Sequence, residues 1–524
     1  MSEPQLDSSL LKDKKAAYWA WESLVGLVLS ILILIAQGLI FKWEPIDDAY
    51  ITFRYAQNLA EGHGLVFNLG HRVEGYTNFL WTVILAAVAW FKLDVPQVSK
   101  WLGVFFASVG LVLTWRLALC VVQERNWPKS LVSAPPIILA FYPGWSYWAF
   151  SGMEGPLLTC LVLAFFLVGC KPTASIGMLF VAGGLGFLAA MTRWEAMLLW
   201  PVAVMFHLCD SSKTIPQRLK RSLILAAVLL TGFGIYFVSR FSYYGELMPN
   251  TYWAKMGGTL INRLVTGTVY TGELTVEWLL LLTFLLWFVG PLGQWTVILA
   301  SSLVIYVGYV TWTGGDTFAW LRFYLPILPI AAIMVTHTIE CVVAAVARTS
   351  MKNLLRVVLT LAAALTIAGI ALRIDYRAAK SHLDEVRGWQ KVGLWAQTNF
   401  PKGYRIALAP IGAVGYYSQK PVVDILGLTD YEIAHFGKVD MLEPPAHQRY
   451  DIDLVIRRRP EVVLGQALLF PYRPDVEYAI AHSARRALKA MYRRPEFRAL
   501  YRYEVAQIGQ LYLPYWIDQT LNTP

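Results

Sequence analysis

Long apolar runs with few charges recur between residues 21 and 374. That repetition is the strongest constraint on this chain, because only a membrane-embedded fold can accommodate so many stretches long enough to cross a bilayer. Only 15% of the 524 residues are charged and 56% are hydrophobic, whereas soluble domains carry about 25% charged residues. The formal charge of +10 would point to nucleic acid in a soluble protein. Here much of the excess falls in short loops between apolar runs, where it orients the chain, so nucleic acid is rejected as a partner and the bilayer takes its place. Cys120, Cys160, Cys170, Cys209 and Cys341 lie within or at the ends of apolar runs without metal-type spacing, so no disulfide framework is implied. The polar N-terminal arm leads into an apolar run with no small-residue cleavage site, which reads as a retained anchor.

Loop charges set the expected topology. Spans at 21–41, 97–122, 132–150, 156–170, 175–191, 195–209, 223–241, 275–290, 295–311, 323–347 and 354–374 make about eleven. The arm with Lys12, Lys14 and Lys15 is then inside, together with the loops carrying Arg125 and Lys129, Lys171, Lys213 to Arg221, and Arg348 to Arg356. The apolar run 79–93 is too short to cross and is expected to lie in or dip into the outer interface. From residue 375 the composition becomes charged and mixed, and the remaining stretch suffices for one soluble domain on the outer side. Its apolar runs at 404–410, 420–430 and 453–465 are bounded by Gly and Pro, and 386–398 and 478–492 have helical spacing. The expected fold is therefore a polytopic α-helical membrane domain, 1–374 with an outer loop 44–94, followed by a C-terminal α/β domain, 375–524.

Every polar, motif-like stretch falls on the outer face. Residues 44–78, EPIDDAYITFRYAQNLAEGHGLVFNLGHRVEGYTN, open with Asp47 and Asp48, and Ile51, Tyr55 and Leu59 then recur at helical spacing before Gly62. The same side collects Glu154 in SGMEGP, Arg193 and Glu195 in TRWEA, Tyr252 and Lys255 in PNTYWAK, and Asp316 and Arg322 in GGDTFAWLR. A carboxylate can take the proton of an incoming hydroxyl, and cations can stabilise charge developing on a departing phosphate. No ATP is available outside the membrane, so an energy-rich donor must arrive attached to lipid. A polyprenyl-phosphate sugar meets that need. Structural alternatives accompany these residues: helix capping for one Asp and for Glu154, snorkelling for Arg193 and Arg322, and a turn for Asp316.

The run DDAYITFRYAQNLAEGHGLVFNLGHRVEGYTNFLW resembles the signature of GT-C polyprenyl-phosphate-dependent glycosyltransferases, nearest to the AftB-like arabinofuranosyltransferases. SGMEGPLL, TRWEAMLL, YYGELMPNTYWAK, GGDTFAWLRFYLP and GAVGYYSQKPVVDILGLTD follow in family order, with Gly155, Trp194 and Ala196 departing from the usual residues. The resemblance implies inverting transfer of a pentofuranose, D-arabinofuranose in the first instance, from a polyprenyl-phosphate donor to a cell-envelope glycan or glycoprotein. It places the protein in the inner membrane with its site on the outer face. It also implies an acidic base, Asp47 or Asp48, with Glu154 as a second acid. Arg54, Arg193, Glu195, Tyr252, Lys255, Asp316 and Arg322 are assigned to donor phosphate and sugar, and His63, Glu74, Tyr76 and Asn78 to the acceptor loop. No cofactor is assigned, and a divalent cation is left open. Asp47, first of the pair, is expected to face the cavity and Asp48 to cap the helix, while Arg322 is expected at the leaving phosphate. The alternatives are a lipid-sugar flippase, a GT-C enzyme of another sugar such as mannose, and a noncatalytic assembly factor. A transporter would carry its ionisable residues at mid-span, whereas here they gather at one end.

Overall fold

The computed structural model describes residues 8–255, 258–290, 292–346, 351–440 and 448–521, with side chains from residue 21 onward. Lys12, Lys14, Lys15 and Arg348, which enter the expected charge pattern, lie outside the described side chains.

Six helices are long and apolar enough to cross a membrane: Trp21–Phe41, Val95–Glu124, Ile215–Tyr244, Gln294–Thr313, Arg322–Val346 and Lys352–Asn399. Two bent pairs raise this to eight among the described residues. Pro143–Phe150 joins Gly155–Gly169 at 111°, and Leu260–Glu277 joins Leu280–Leu286 at 69°. The remaining expected spans coincide with the shorter apolar helices Lys129–Phe141, Ile176–Thr192 and Trp194–Cys209. Phe79–Trp90 is a 12-residue helix, about 18 Å long and too short for a crossing.

Local chemistry sets the helix ends. Asp94 accepts the N–H of Gln97 at 3.0 Å to open Val95–Glu124, and Thr214 with Gln217 forms a capping box before Ile215–Tyr244. The expected span 275–290 is displaced. Thr259 caps a helix that begins at Leu260, and Leu279, in the left-handed region at φ +48°, interrupts it, so 275–290 straddles a break.

Lys352–Asn399 is a single 48-residue helix, about 72 Å long, that runs from the membrane into the C-terminal domain. The expected boundary at 375 falls inside it, and the helix expected at 386–398 is its last part. Beyond it lies a five-stranded sheet in the order Val422–Asp424, Ile406–Leu408, Val462–Gly465, Leu511–Asp518, Tyr501–Ile508. The first three strands are parallel and the last two antiparallel. One face packs on the long helix and the outer loop through Val392, Ala396, Ile51 and Tyr55. The other is covered by Ile452–Arg458 and Arg486–Tyr492. The expected strand 453–465 splits into helix and strand, and the expected helix 478–492 into Val476–His482 and Arg486–Tyr492.

The helix Asp47–Ala60 lies between the two parts of the molecule. Its Tyr50 and Phe53 pack against Tyr416 and Tyr417, and Gln390 of the long helix donates to the Tyr50 hydroxyl at 2.7 Å. Asn68 and Val422 exchange hydrogen bonds of 2.7 and 2.9 Å, and Asn250 donates to the carbonyls of Gly427 and Leu428 at 2.8 and 2.9 Å.

Candidate active site

Neighbouring carboxylates at the start of a helix point about 100° apart, and here that separation gives them different surroundings. Ile46 is the N-cap, and neither Asp caps Asp47–Ala60. Asp47 is only 8% exposed, and it accepts the backbone N–H of Ala413 at 2.7 Å and of Gly412 at 3.3 Å. Asp48, with a side chain 26% exposed, pairs with Arg322 at 2.9 Å and faces the outer cavity. The expected division of labour is not observed, since neither Asp caps the helix, Asp48 lines this cavity, and both line a second cavity. It fails because the partner that claims Asp47 lies some 365 positions away in sequence.

Burial pushes the Asp47 carboxyl up to about 7, with the two amides opposing that rise and the Asp48 charge adding to it. The native state thus binds this proton more tightly than the unfolded chain. The stability this provides is full below about pH 4 and is lost as pH rises through about 7. Asp47→Asn, which cannot ionise, is expected to lose this pH dependence, so its melting temperature, lowered by the altered bonding at Gly412 and Ala413, falls less steeply than that of wild type between pH 4 and pH 8. Melting of the detergent-solubilised proteins across that range checks the slope, and parallel curves would contradict it.

A cavity of about 290 Å³ opens beside Asp48. Its wall includes Asp48, Glu154, Arg193, Lys255, Asp316 and Arg322. Arg322 is held by both oxygens of Asp316, at 2.6 and 3.1 Å, as well as by Asp48. Its approach is strained: Trp320 and Leu321, both non-glycine, have φ of +58° and +55°. That geometry is pinned by Asp375, which accepts the Trp320 N–H at 2.6 Å, and by Trp148, which donates to the Trp320 carbonyl at 2.8 Å. The Gly314-Gly315 turn that brings Asp316 into place has φ of +98° and +72°. Three Arg322 nitrogens meet carboxylates, Nε and Nη2 on Asp316 and Nη1 on Asp48, so in this structure Arg322 holds Asp48 at the cavity wall.

Arg193 reaches Glu195 at 2.6 Å, Glu154 at 3.2 Å and Thr77 at 3.3 Å, while Asn78 donates to the other Glu154 oxygen at 2.7 Å. Glu154 stands at the N-cap position of Gly155–Gly169, but its side chain makes no capping hydrogen bond. These groups form a continuous hydrogen-bonding wall of the kind that suits sugar hydroxyls. Lys255 differs from both arginines. Among the described residues no carboxylate or other hydrogen-bond partner holds its ammonium, and burial lowers its pKa while Asp48 pushes it back up.

Tyr76 and Tyr252 also line this cavity. Other expected residues do not. Arg54 spends its guanidinium on the carbonyls of Phe67, Gly415 and Lys420 at 2.8, 2.7 and 2.7 Å. Glu74 is buried against Arg240, whose Nε lies 2.7 Å away. His63 is half-exposed near Glu61, with 3.7 Å between them. Among the described residues no three His, Cys, Asp or Glu side chains gather as a metal cage.

A second cavity, of about 320 Å³, lies on the other side of Asp48. The membrane domain contributes Tyr147 and Phe318 to it, the long helix His382, Glu385 and Trp389, and the C-terminal domain Pro410, Gln466 and Arg485. Sequence reading assigned none of these to a site. No local pattern marks the residues from the long helix.

Solved structures share this fold. ArnT from Cupriavidus metallidurans, bound to undecaprenyl phosphate, superposes with a TM-score of 0.54 over 98% of this chain and 99% of its own, at 13% identity. The chain has the GT-C glycosyltransferase fold. The apo form of the same ArnT superposes equally well, with a TM-score of 0.54 over 95% of this GT-C chain. In sequence, the GT-C chain is 29% identical over 249 residues to the terminal beta-(1->2)-arabinofuranosyltransferase of Mycobacterium tuberculosis. That similarity covers 43% of this chain and 38% of the relative, so well under half of the relative's length is spanned. The protein of the same description from Corynebacterium glutamicum is 35% identical over 75 residues, 14% of this chain and 10% of its own. A family described as a domain of unknown function, DUF8728, matches residues 375–509.

Proposed function

We propose that this protein is a glycosyltransferase that moves a pentofuranosyl residue, D-arabinofuranosyl in the first instance, from a polyprenyl phosphate to a hydroxyl of a cell-envelope glycan or glycoprotein. The transfer takes place at the outer face of the inner membrane. The observation that carries this reading is the position of Asp48, whose carboxylate lies in the wall of two cavities, one of which also holds Lys255. The similarity to arabinofuranosyltransferases supports the sugar, and the fold shared with a polyprenyl-phosphate-binding protein supports the carrier.

The donor occupies the first cavity, with its phosphate at Lys255 and its sugar against the Glu154, Arg193 and Asn78 wall. The acceptor enters through the second. The acceptor oxygen bonds to the anomeric carbon as the bond from that carbon to the phosphate oxygen breaks. The hydroxyl proton passes to Asp48, and the electron pair leaves with the phosphate, whose growing charge Lys255 faces. Such a single displacement inverts the anomeric centre. Purified protein given a panel of polyprenyl-phosphate sugars and a short arabinofuranose oligosaccharide is expected to extend the oligosaccharide with the pentofuranose alone. Mass spectrometry identifies the product and NMR its anomeric configuration. Transfer of a hexose instead would remove the sugar assignment, and retention of configuration would remove the single displacement.

A further inference from the structure

Asp47 and Arg54 hold one short helix of the C-terminal domain by its two ends. That helix, Ile411–Ser418, offers free amides at its start and free carbonyls at its end. Asp47 takes the amides of Gly412 and Ala413, and Arg54, about two turns further along its own helix, donates to the carbonyls of Gly415 and Lys420, each at 2.7 Å for the guanidinium. The signs match the helix dipole at both ends. The approach is also close. A Cβ on Gly412 would lie 1.9 Å from the Asp47 backbone oxygen, so only glycine fits there. Both clamp residues are buried, which removes water as a competitor for these bonds.

Ala409, Pro410 and Ile411, the residues leading into the clamped helix, form part of the second cavity wall, which Asp47 and Asp48 share, whereas Arg54 lies outside it and can act on that wall only through the clamped helix. We infer that Asp47 and Arg54 are positioning residues that fix the C-terminal domain as one wall of the acceptor cavity. The domain is on this account part of the acceptor site and not a separate module. The inference rests on the reading that the acceptor enters the second cavity. It gives the two residues that leave the donor cavity a shared task.

Two measurements on the full-length protein test it. Hydrogen exchange of the 409–420 segment is expected to accelerate at least about tenfold in Asp47→Asn and in Arg54→Lys, since each variant loses about one charge-assisted bond. KM for the arabinofuranose oligosaccharide is expected to rise by about the same factor, with KM for polyprenyl-phosphate arabinofuranose within twofold of wild type. Faster exchange with unchanged oligosaccharide KM would reduce the clamp to a structural contact and overturn the inference. So would unchanged exchange, or a parallel rise in both KM values. A wild-type protein that makes no product at all marks failure of the transfer reading itself, which separates the two.

Discussion

Asp48→Asn is expected to lower turnover by about 10² to 10⁴ while leaving affinity for the lipid donor unchanged. Asparagine keeps the size of the side chain and can still meet Arg322, but it cannot take the proton of the attacking hydroxyl. Asp47→Asn should cost far less in turnover at saturating acceptor, because Asp47, although it borders the second cavity, has both oxygens committed to backbone amides and does not line the donor cavity. The contrast between adjacent positions is the informative quantity, since both variants alter the same helix turn. Equal losses at the two positions, or full activity in Asp48→Asn, would remove Asp48 as the base. Donor affinity, read from KM or from direct lipid binding, separates loss of proton transfer from a distorted cavity.

Lys255→Met should weaken binding of the polyprenyl-phosphate donor by about 10- to 100-fold and lower turnover as well, because a charge-assisted bond to phosphate is removed where negative charge grows in the transition state. The same substitution should not destabilise the empty protein. The Lys255 ammonium is half-buried and, among the described residues, meets no carboxylate at ion-pair distance, so the melting temperature without donor is expected to stay close to that of wild type. Loss of donor affinity together with retained stability would be hard to obtain from a residue whose role is packing. Arg322→Lys should behave differently. It breaks a three-bond arrangement that holds Asp48 in place, and its main effect is expected in turnover.

The residue types of the candidate site were legible in the sequence, because polar residues at the ends of apolar runs stand out against 56% hydrophobic composition. Glu154, Arg193, Glu195, Lys255, Asp316 and Arg322 were all picked out this way and do line one cavity. What could not be read was partnership. Arg54 looks like a phosphate ligand until the carbonyls of Gly415 and Lys420 fold over it, and Glu74 looks like an acceptor contact until Arg240 pairs with it. Which of two adjacent aspartates faces the cavity depends on amides at Gly412 and Ala413, a contact that no local pattern encodes. The second cavity was invisible for the same reason, since its walls come from Tyr147, the long helix and the C-terminal domain. Helix ends were misread where hydropathy alone set them. Leu260–Glu277 begins with residues of mixed polarity, and the long helix runs unbroken through residue 375 although its composition there turns from apolar to charged.

Visualising both substrates on the Asp48→Asn variant tests the central claim most directly, because the variant should bind them without consuming them. A structure of that variant with polyprenyl-phosphate arabinofuranose and an arabinofuranose oligosaccharide is expected to place the phosphate against Lys255 in the first cavity. The oligosaccharide should enter from the second, with one hydroxyl and the anomeric carbon meeting at the side chain of position 48. Both substrates in one cavity, or a phosphate bound away from Lys255, would contradict the account.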